Sequence, residues 1–541
     1  MEFKNYINKM MMLSVAIVAM SMTMVSCSDN DDNPVAPPVE LEEPEEYVIE
    51  VGEGMTMPEN MFLTVPATTD CDQNVVNALK ATDKVTDVKA FKLNTRYDFY
   101  NEEMVSKTAY FFNYKQDIDH NDPSKGWFKQ QCVLTVAGKD RPTVLHTQGY
   151  ALGDYDNDLQ MIGEPALVSV LEANCLQVEY RYFGWSLPEG YTNKWNYLDA
   201  KQQSGDLHAI VTAIKQSGVV GNGKWLATGV SKNGMTTADY AYCYPNEMDA
   251  YVPFCAPFHT SLCDIRPYTR ILSKEAFDED TEKLEKVKAA FVNLFSDKEL
   301  QLECAKKYRD GHPSVDISSD EEAIQIMKKA TFDNYYTRMM YVAFDRWESM
   351  IPKAGDSVED YYFNFIVADD KTQYPGEPDE LYYRRKELAD ILKEDSISGS
   401  SPHALTRAIF IHRHWPYLVQ TCKEMGYFGI DLSWVEHLLT PAEKDFLSRP
   451  LINPETYGVT YDNGKYVKEF LEGMKQSTCN MMFVYGMQDP WTGGQIPDDK
   501  MGVNSRKLFI RNGTHNDFID MWNQSEKAEL FKWLDSLGFL E

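Results

Sequence analysis

The chain of 541 residues is 43% apolar, 25% charged and 13% aromatic, a globular composition that excludes a wholly disordered chain and a polytopic membrane protein. A formal net charge of −30 argues against a nucleic-acid partner, because a phosphate backbone needs a basic face to release its counterions. The length gives room for more than one domain, or for one large domain with an insertion.

Residues 1–26 carry Lys4 and Lys9 ahead of an apolar stretch from Met10 to Val25, the layout of a secretory signal. The stretch closes on Met24-Val25-Ser26-Cys27, which resembles a bacterial lipobox with methionine in the leucine position, so Cys27 is expected to carry a lipid. The acidic run Ser28–Asp32 resembles the export signal of surface-exposed lipoproteins, giving an expected location at the outer membrane of the cell envelope. The remainder of 27–46 reads as a Pro- and Glu-rich tether. Membrane contact is thus expected only through an N-terminal anchor. Nine further cysteines remain, and Cys243, Cys255 and Cys263 are close enough in sequence to be disulfide candidates with no derivable connectivity. His412-Arg-His414 is too sparse a ligand set for a metal, and no phosphate-cradling glycine loop occurs, so neither metal nor organic cofactor is expected.

From about residue 90 short apolar runs alternate with helical patterns. Cys132–Val136 and Thr143–Thr147 read as strands, the second opening into Gln148-Gly149-Tyr150. Leu176–Phe183 reads as a third strand, Asp206–Gln216 as an amphipathic helix with Leu207, Ile210, Val211 and Ile214 on one face, and Trp225–Thr228 as the next strand, which makes a βαβ unit. A serine then stands between that strand and the helical pattern from Met235 to Tyr244, in the order Gly229-Val230-Ser231-Lys232-Asn233-Gly234. A serine on a sharp strand-to-helix turn projects its hydroxyl above the sheet, and the N–H of Lys232 then faces the oxygen of a tetrahedral intermediate. The motif departs from the usual G-x-S-x-G by one position. Ala250–Cys255 is the following strand.

Between about 260 and 475 the alternation gives way to helical, charged, aromatic-rich sequence, read as an inserted cap. Strands resume at Met481–Tyr485, followed by Asp489-Pro-Trp491, and at Lys507–Ile510, followed by Gly513-Thr-His515. Ser231, Asp489 and His515 therefore follow three strand ends in the chain order of an α/β-hydrolase triad. Asp517 and Asp520 are rival acids, disfavoured because their loop would have to fold back on His515. The second oxyanion donor is expected from the backbone of Gly149 and Tyr150. The expected fold is an α/β-hydrolase with a large helical cap, in parts 47–259 and 476–541 around a cap of 260–475.

Val230–Thr236, Glu179–Gly184, Asp489–Gly494 and Gly513–His515 resemble the secreted bacterial prolyl tri- and tetrapeptidyl aminopeptidases, serine peptidase family thirty-seven, over most of residues 130–541. The last three segments also resemble the prolyl carboxypeptidase and dipeptidyl peptidase group. The chain departs from the family at Asn233, where a glycine is usual, and at Tyr180, where a histidine is usual. The resemblance implies cleavage of peptides after proline from a free amino end, with Trp491 as a flat wall for the pyrrolidine ring. Glu179 is a candidate for the substrate's amino group, or else a partner of Arg181 two residues on. The residues alone support a serine hydrolase acting through an acyl-enzyme and leave open a carboxylesterase, or a non-catalytic lipoprotein that binds peptides or glycans.

Overall fold

Strand residues alternate between two faces, and in the centre of this protein both faces are apolar and covered. A computed structural model describes residues 67–98, 103–152, 162–188, 195–312, 317–367, 416–515, 519 and 522–540. Among them, β1 (Val85–Asp98), β2 (Glu103–Asp117), β3 (Trp127–Thr135), β4 (Thr143–Thr147), β5 (Asn174–Val178), β6 (Trp225–Val230), β7 (Ala250–Phe254), β8 (Met481–Gly486) and β9 (Ser505–Ile510) form one sheet in the order β1-β2-β3-β5-β4-β6-β7-β8-β9. The pairings from β1 to β5 are antiparallel, and those from β5 through β9 are parallel. This is the mixed sheet of an α/β-hydrolase. The expected βαβ unit is present in modified form: β5 and β6 are parallel, but β4 lies between them.

Helices α1 (Ala200–Ser217), α2 (Lys232–Cys243) and α3 (Lys465–Lys475) cover one face. There Leu207, Ile210, Tyr240, Phe470 and Met474 meet Leu145, Ala227 and Phe483 of the sheet. On the opposite face Val144, Leu226, Met482 and Val484 meet Leu530 and Trp533 of α4 (Gln524–Ser536). The two sets interleave along each strand with the period of two that the pleat imposes. Helix α1 starts at Asp199, whose side chain accepts the Gln202 N–H at 2.8 Å, and stops at Gly218 in the left-handed region.

Between β7 and β8 lie the helices Thr281–Ser296, Lys298–Gly311 and Asp320–Tyr341, which build a separate core around Phe291, Phe332, Tyr335 and Trp347. Residues 465–475 do not belong with them. Helix α3 packs on the sheet, so the sheet layer resumes before the expected boundary at 476. Strands β1 and β2 extend the sheet beyond the first expected strand. Cys27, His412 and His414 fall outside the described residues. Cys243, Cys255 and Cys263 are all thiols, so none of the three is bridged.

The third expected strand ends early, at Val178, and the chain has left the sheet by Tyr182, which takes a positive φ of 68°. That exit frees Arg181 from the strand alternation that would have set it beside Glu179. Instead its guanidinium makes a two-pronged pair with Asp206 of α1 (Nε to Oδ2 2.8 Å, Nη2 to Oδ1 2.6 Å) with both side chains fully buried. Its remaining Nη1 donates to the carbonyls of Ile118 and Tyr197. Removing Arg181 leaves the buried Asp206 carboxylate with His120 and Gln130 as its side-chain partners and without its buried cation. Arg181→Leu is expected to destabilise the protein by about 3–5 kcal/mol, with partial recovery in Arg181→Leu/Asp206→Leu, as read by thermal melting. A wild-type melting temperature for the single variant would contradict this.

Candidate active site

β6 runs into α2 through Ser231, whose backbone sits at φ 62°, ψ −126°. Such a conformation costs on the order of 1–3 kcal/mol for a residue with a side chain and persists only where its surroundings hold it. Here the Ser231 N–H donates to the Phe254 carbonyl of β7 at 2.9 Å, and the Ser231 carbonyl accepts from Met235 at 2.9 Å. The helix must pass close to β7 at this point: a Cβ on Gly234 would lie 2.4 Å from the Phe254 oxygen. The close-approach glycine of the elbow is thus supplied at 234, one residue later than usual, and position 233 is left for an asparagine.

That asparagine has its own task. Asn233 Oδ1 accepts the Gly149 N–H at 2.6 Å, and its amide donates to Gln148 Oε1 at 3.2 Å. From the neighbouring position Lys232 Nζ donates to the Gly149 carbonyl at 2.6 Å. The lysine is buried, with its ammonium 3.5 Å from the Tyr180 ring centroid and 5.0 Å from that of Phe183. Burial pushes its pKa down to about 7, while the charges of Asp239 and Glu424 and the aromatic faces oppose the loss of the proton. Position 149 has no room for a side chain, since a Cβ would come within 2.7 Å of Lys232. The Gly149 N–H, expected as an oxyanion donor, is therefore committed to Asn233. The other nominated backbone groups are those of Lys232 and Tyr150. Lys232 N–H occupies the first helical position, where no intrahelical acceptor exists. The Tyr150 N–H belongs to the peptide whose carbonyl Lys232 grips, and a trans peptide aims the two in opposite directions.

Asp489 follows β8 and caps the short helix Pro490–Gly494, with one carboxylate oxygen accepting the Trp491 N–H at 3.0 Å. The other oxygen meets His515 Nδ1 at 2.7 Å. The His515 N–H donates to the Met340 carbonyl of the helix Asp320–Tyr341 at 2.8 Å, so the inserted helices also hold the histidine loop. Cys255 Sγ, an Asp489 oxygen and a His515 nitrogen lie within 4.8 Å of one another, the one group of possible metal ligands found among the described residues. Two of its members already bond each other, which makes it a histidine–carboxylate pair with a thiol beside it. Asp517 and Asp520 fall outside the described residues.

Ser231 opens onto a cleft walled by Met235, Pro257, His259, Tyr427 and Trp491. Trp491 also stands 6.4 Å from the His515 ring and packs edge-on against Phe428 of the cap core. Glu179 is not on this cleft. It is fully buried, and its carboxylate accepts from Leu152 N–H (3.0 Å), Trp185 N–H (2.9 Å) and Ser186 Oγ (2.7 Å), so it neither faces substrate nor pairs with Arg181. Sequence marked Asn233 and Tyr180 only as departures from a family pattern and gave the Lys232 side chain no task, since Gly149, the shared partner of Lys232 and Asn233, lies more than 80 residues from both.

A serine on an elbow after β6 and a histidine–aspartate pair after the adjacent strands β8 and β9 define the class: a serine hydrolase of α/β-hydrolase fold. Residues 81–312 match the family described as PS-10 peptidase S37. The chain is 26% identical over 436 residues to the prolyl tri/tetrapeptidyl aminopeptidase of Streptomyces mobaraensis, covering 78% of this chain and 79% of that protein. Similar solved structures include VinJ (12% identity, 76% of this chain and 96% of that one, TM-score 0.34) and a proline iminopeptidase from Mycobacterium smegmatis (13%, 76% and 94%, TM-score 0.29). The S37 match thus spans the segment that carries Ser231 and its elbow.

Burial raises the Glu179 pKa from 4.5 to about 7 against the pull of its three donors. A folded-state pKa above the unfolded value contributes stability that is fully present below about 4.5 and lost as pH rises through about 7. Glu179→Gln turns an amide N–H toward a backbone or hydroxyl donor and is expected to cost about 1–3 kcal/mol at pH 4.5. The gap from wild type should shrink as pH rises to 7, as measured by melting across that range. A gap that widens with pH would show that the carboxylate is charged throughout.

Proposed function

We propose that this protein is a serine peptidase that removes short fragments ending in proline from the free amino end of peptides. The observation that carries the chemistry is the 2.7 Å contact of His515 Nδ1 with Asp489, below a serine held at positive φ. Ser231 Oγ attacks the carbonyl carbon, and His515 takes its proton and returns it to the leaving amine. Asp489 accepts from Nδ1–H, which presents the other ring nitrogen to the serine and stabilises the imidazolium. The developing oxyanion faces the N–H groups of Lys232 and Tyr150. Water then releases the acyl group by the reverse proton path. The name of the Streptomyces relative supports a peptide substrate and a proline preference, and the indole of Trp491 offers the ring a flat apolar wall that needs no amide donor from it.

Ser231→Ala, His515→Ala and Asp489→Asn should each lower kcat on the order of a thousandfold or more, and pairs of these changes should add little, because the groups act as a unit. Steady-state kinetics on short peptides with and without proline, read by mass, test both parts. Additive losses would contradict the triad, and hydrolysis of simple esters without cleavage of any proline peptide would leave an esterase.

We further propose that the protein is an envelope lipoprotein held by a lipid on Cys27. The sequence Met24-Val25-Ser26-Cys27 supports this reading, and no helix among the described residues is long and apolar enough to cross a membrane. Cys27→Ala should move the protein from the membrane fraction to the soluble one, since a polar tether cannot replace acyl chains. Unchanged fractionation would refute the anchor.

A further inference from the structure

Lys232 is 3% exposed, and among the described residues its ammonium has one hydrogen-bond partner, the Gly149 carbonyl at 2.6 Å. It forms no ion pair there, and the carboxylates of Asp239 and Glu424 act on it only through space. The ring centroids of Tyr180, Phe183 and Tyr150 stand 3.5, 5.0 and 5.6 Å from the nitrogen. That cage is itself anchored, since the Tyr180 N–H donates to the Tyr150 carbonyl at 3.1 Å and the Tyr180 hydroxyl accepts from Gln420 Nε2 at 2.7 Å. Aromatic faces compensate only part of what an ammonium loses on leaving water, and an apolar side chain of similar volume is often neutral or stabilising in the place of a buried charge. Stability alone gives no reason for a lysine here.

What the ammonium touches supplies one. Gly149 lies against the first turn of the helix that carries the nucleophile, where a Cβ would come within 2.7 Å of Lys232 Cγ and 2.9 Å of the Asn233 nitrogen. Asn233 Oδ1 takes the Gly149 N–H at 2.6 Å, so the peptide groups on both sides of Gly149 are fixed by the two residues that follow Ser231. Resting on the hydrolysis at Ser231 proposed above, we propose that Lys232 and Asn233 are positioning residues for that reaction, their side chains holding the Gly149–Tyr150 backbone to the nucleophile elbow while the oxyanion forms. Neither side chain touches the reacting atoms. Their effect is on geometry, to which acyl transfer is sensitive because misplacement by an ångström far from the chemistry already lowers the rate.

The test follows two reactions of the full chain. One is cleavage of Ala-Ala-Pro p-nitroanilide, and the other is phosphorylation of Ser231 by diethyl p-nitrophenyl phosphate, in which Oγ bonds the phosphorus, p-nitrophenolate leaves and His515 takes the serine proton. Lys232→Met and Asn233→Gly should each lower kcat about tenfold to a hundredfold, short of what removing an oxyanion donor outright costs, with KM unchanged and the phosphorylation rate falling in step. Lys232→Met should melt at the wild-type temperature or above it, because it relieves a buried charge. A rate unchanged in either variant overturns the proposal, and so does a Lys232→Met protein that melts well below wild type or fails to fold, since the lysine is then structural. Wild type that is phosphorylated but cleaves no proline anilide refutes only the peptidase reading, and the phosphorylation rates of the variants then decide this one. Wild type inert toward both reagents overturns both.

Discussion

Gly149 is held through the two peptide groups that flank it by the first two residues of the nucleophile helix, and the geometry of the site depends on that grip. Lys232 holds its carbonyl and Asn233 holds its N–H, each at 2.6 Å. Oxyanion stabilisation works only if donors are fixed before charge develops, since reorganising a loose loop would consume what the hydrogen bonds return. In the proposed reaction the residue that follows the serine serves twice, by its N–H at the reacting oxygen and by its ammonium at the loop opposite. The two departures from the family pattern belong to this device: Asn233 is one half of the clamp, and the Tyr180 ring lies under the ammonium of the other half. Glu179 steadies the same loop further on, through Leu152.

The inserted helices are part of the site rather than a cover laid over it. Met340 at the end of the helix Asp320–Tyr341 accepts the His515 N–H, and Gln488, next to Asp489, accepts the N–H of Phe344. Trp491 belongs at once to the core of those helices and to the cleft wall. Repacking of that core is transmitted to the histidine loop and to the substrate wall together, because close-packed interiors shift as units.

How much of this was legible depends on how local each signal is. Ser231 and Asp489 could be singled out because each follows a short apolar strand, Trp225–Val230 and Met481–Gly486, which are buried on both faces and so read as unbroken runs. Strands β1 and β2 were harder, since Lys89, Lys92 and Lys107 break their apolar pattern and the pair lies at one edge of the sheet. The run Leu176–Phe183 is apolar enough to be one strand, and nothing local announces its end at Val178 or the positive φ at Tyr182. Helix α3 has a clear apolar stripe, but a stripe says that a partner exists without saying which layer supplies it. The clamp on Gly149 was illegible for the same reason, its halves being joined only by the fold.

A structure of the protein phosphonylated by a proline-ended peptide phosphonate would test the account most directly. The account predicts phosphorus bonded to Ser231 Oγ, a phosphoryl oxygen about 3 Å from the Lys232 N–H, and the Lys232 Nζ to Gly149 contact intact. A bond to another residue, or a phosphoryl oxygen turned away from Lys232 with the clamp released, would contradict it.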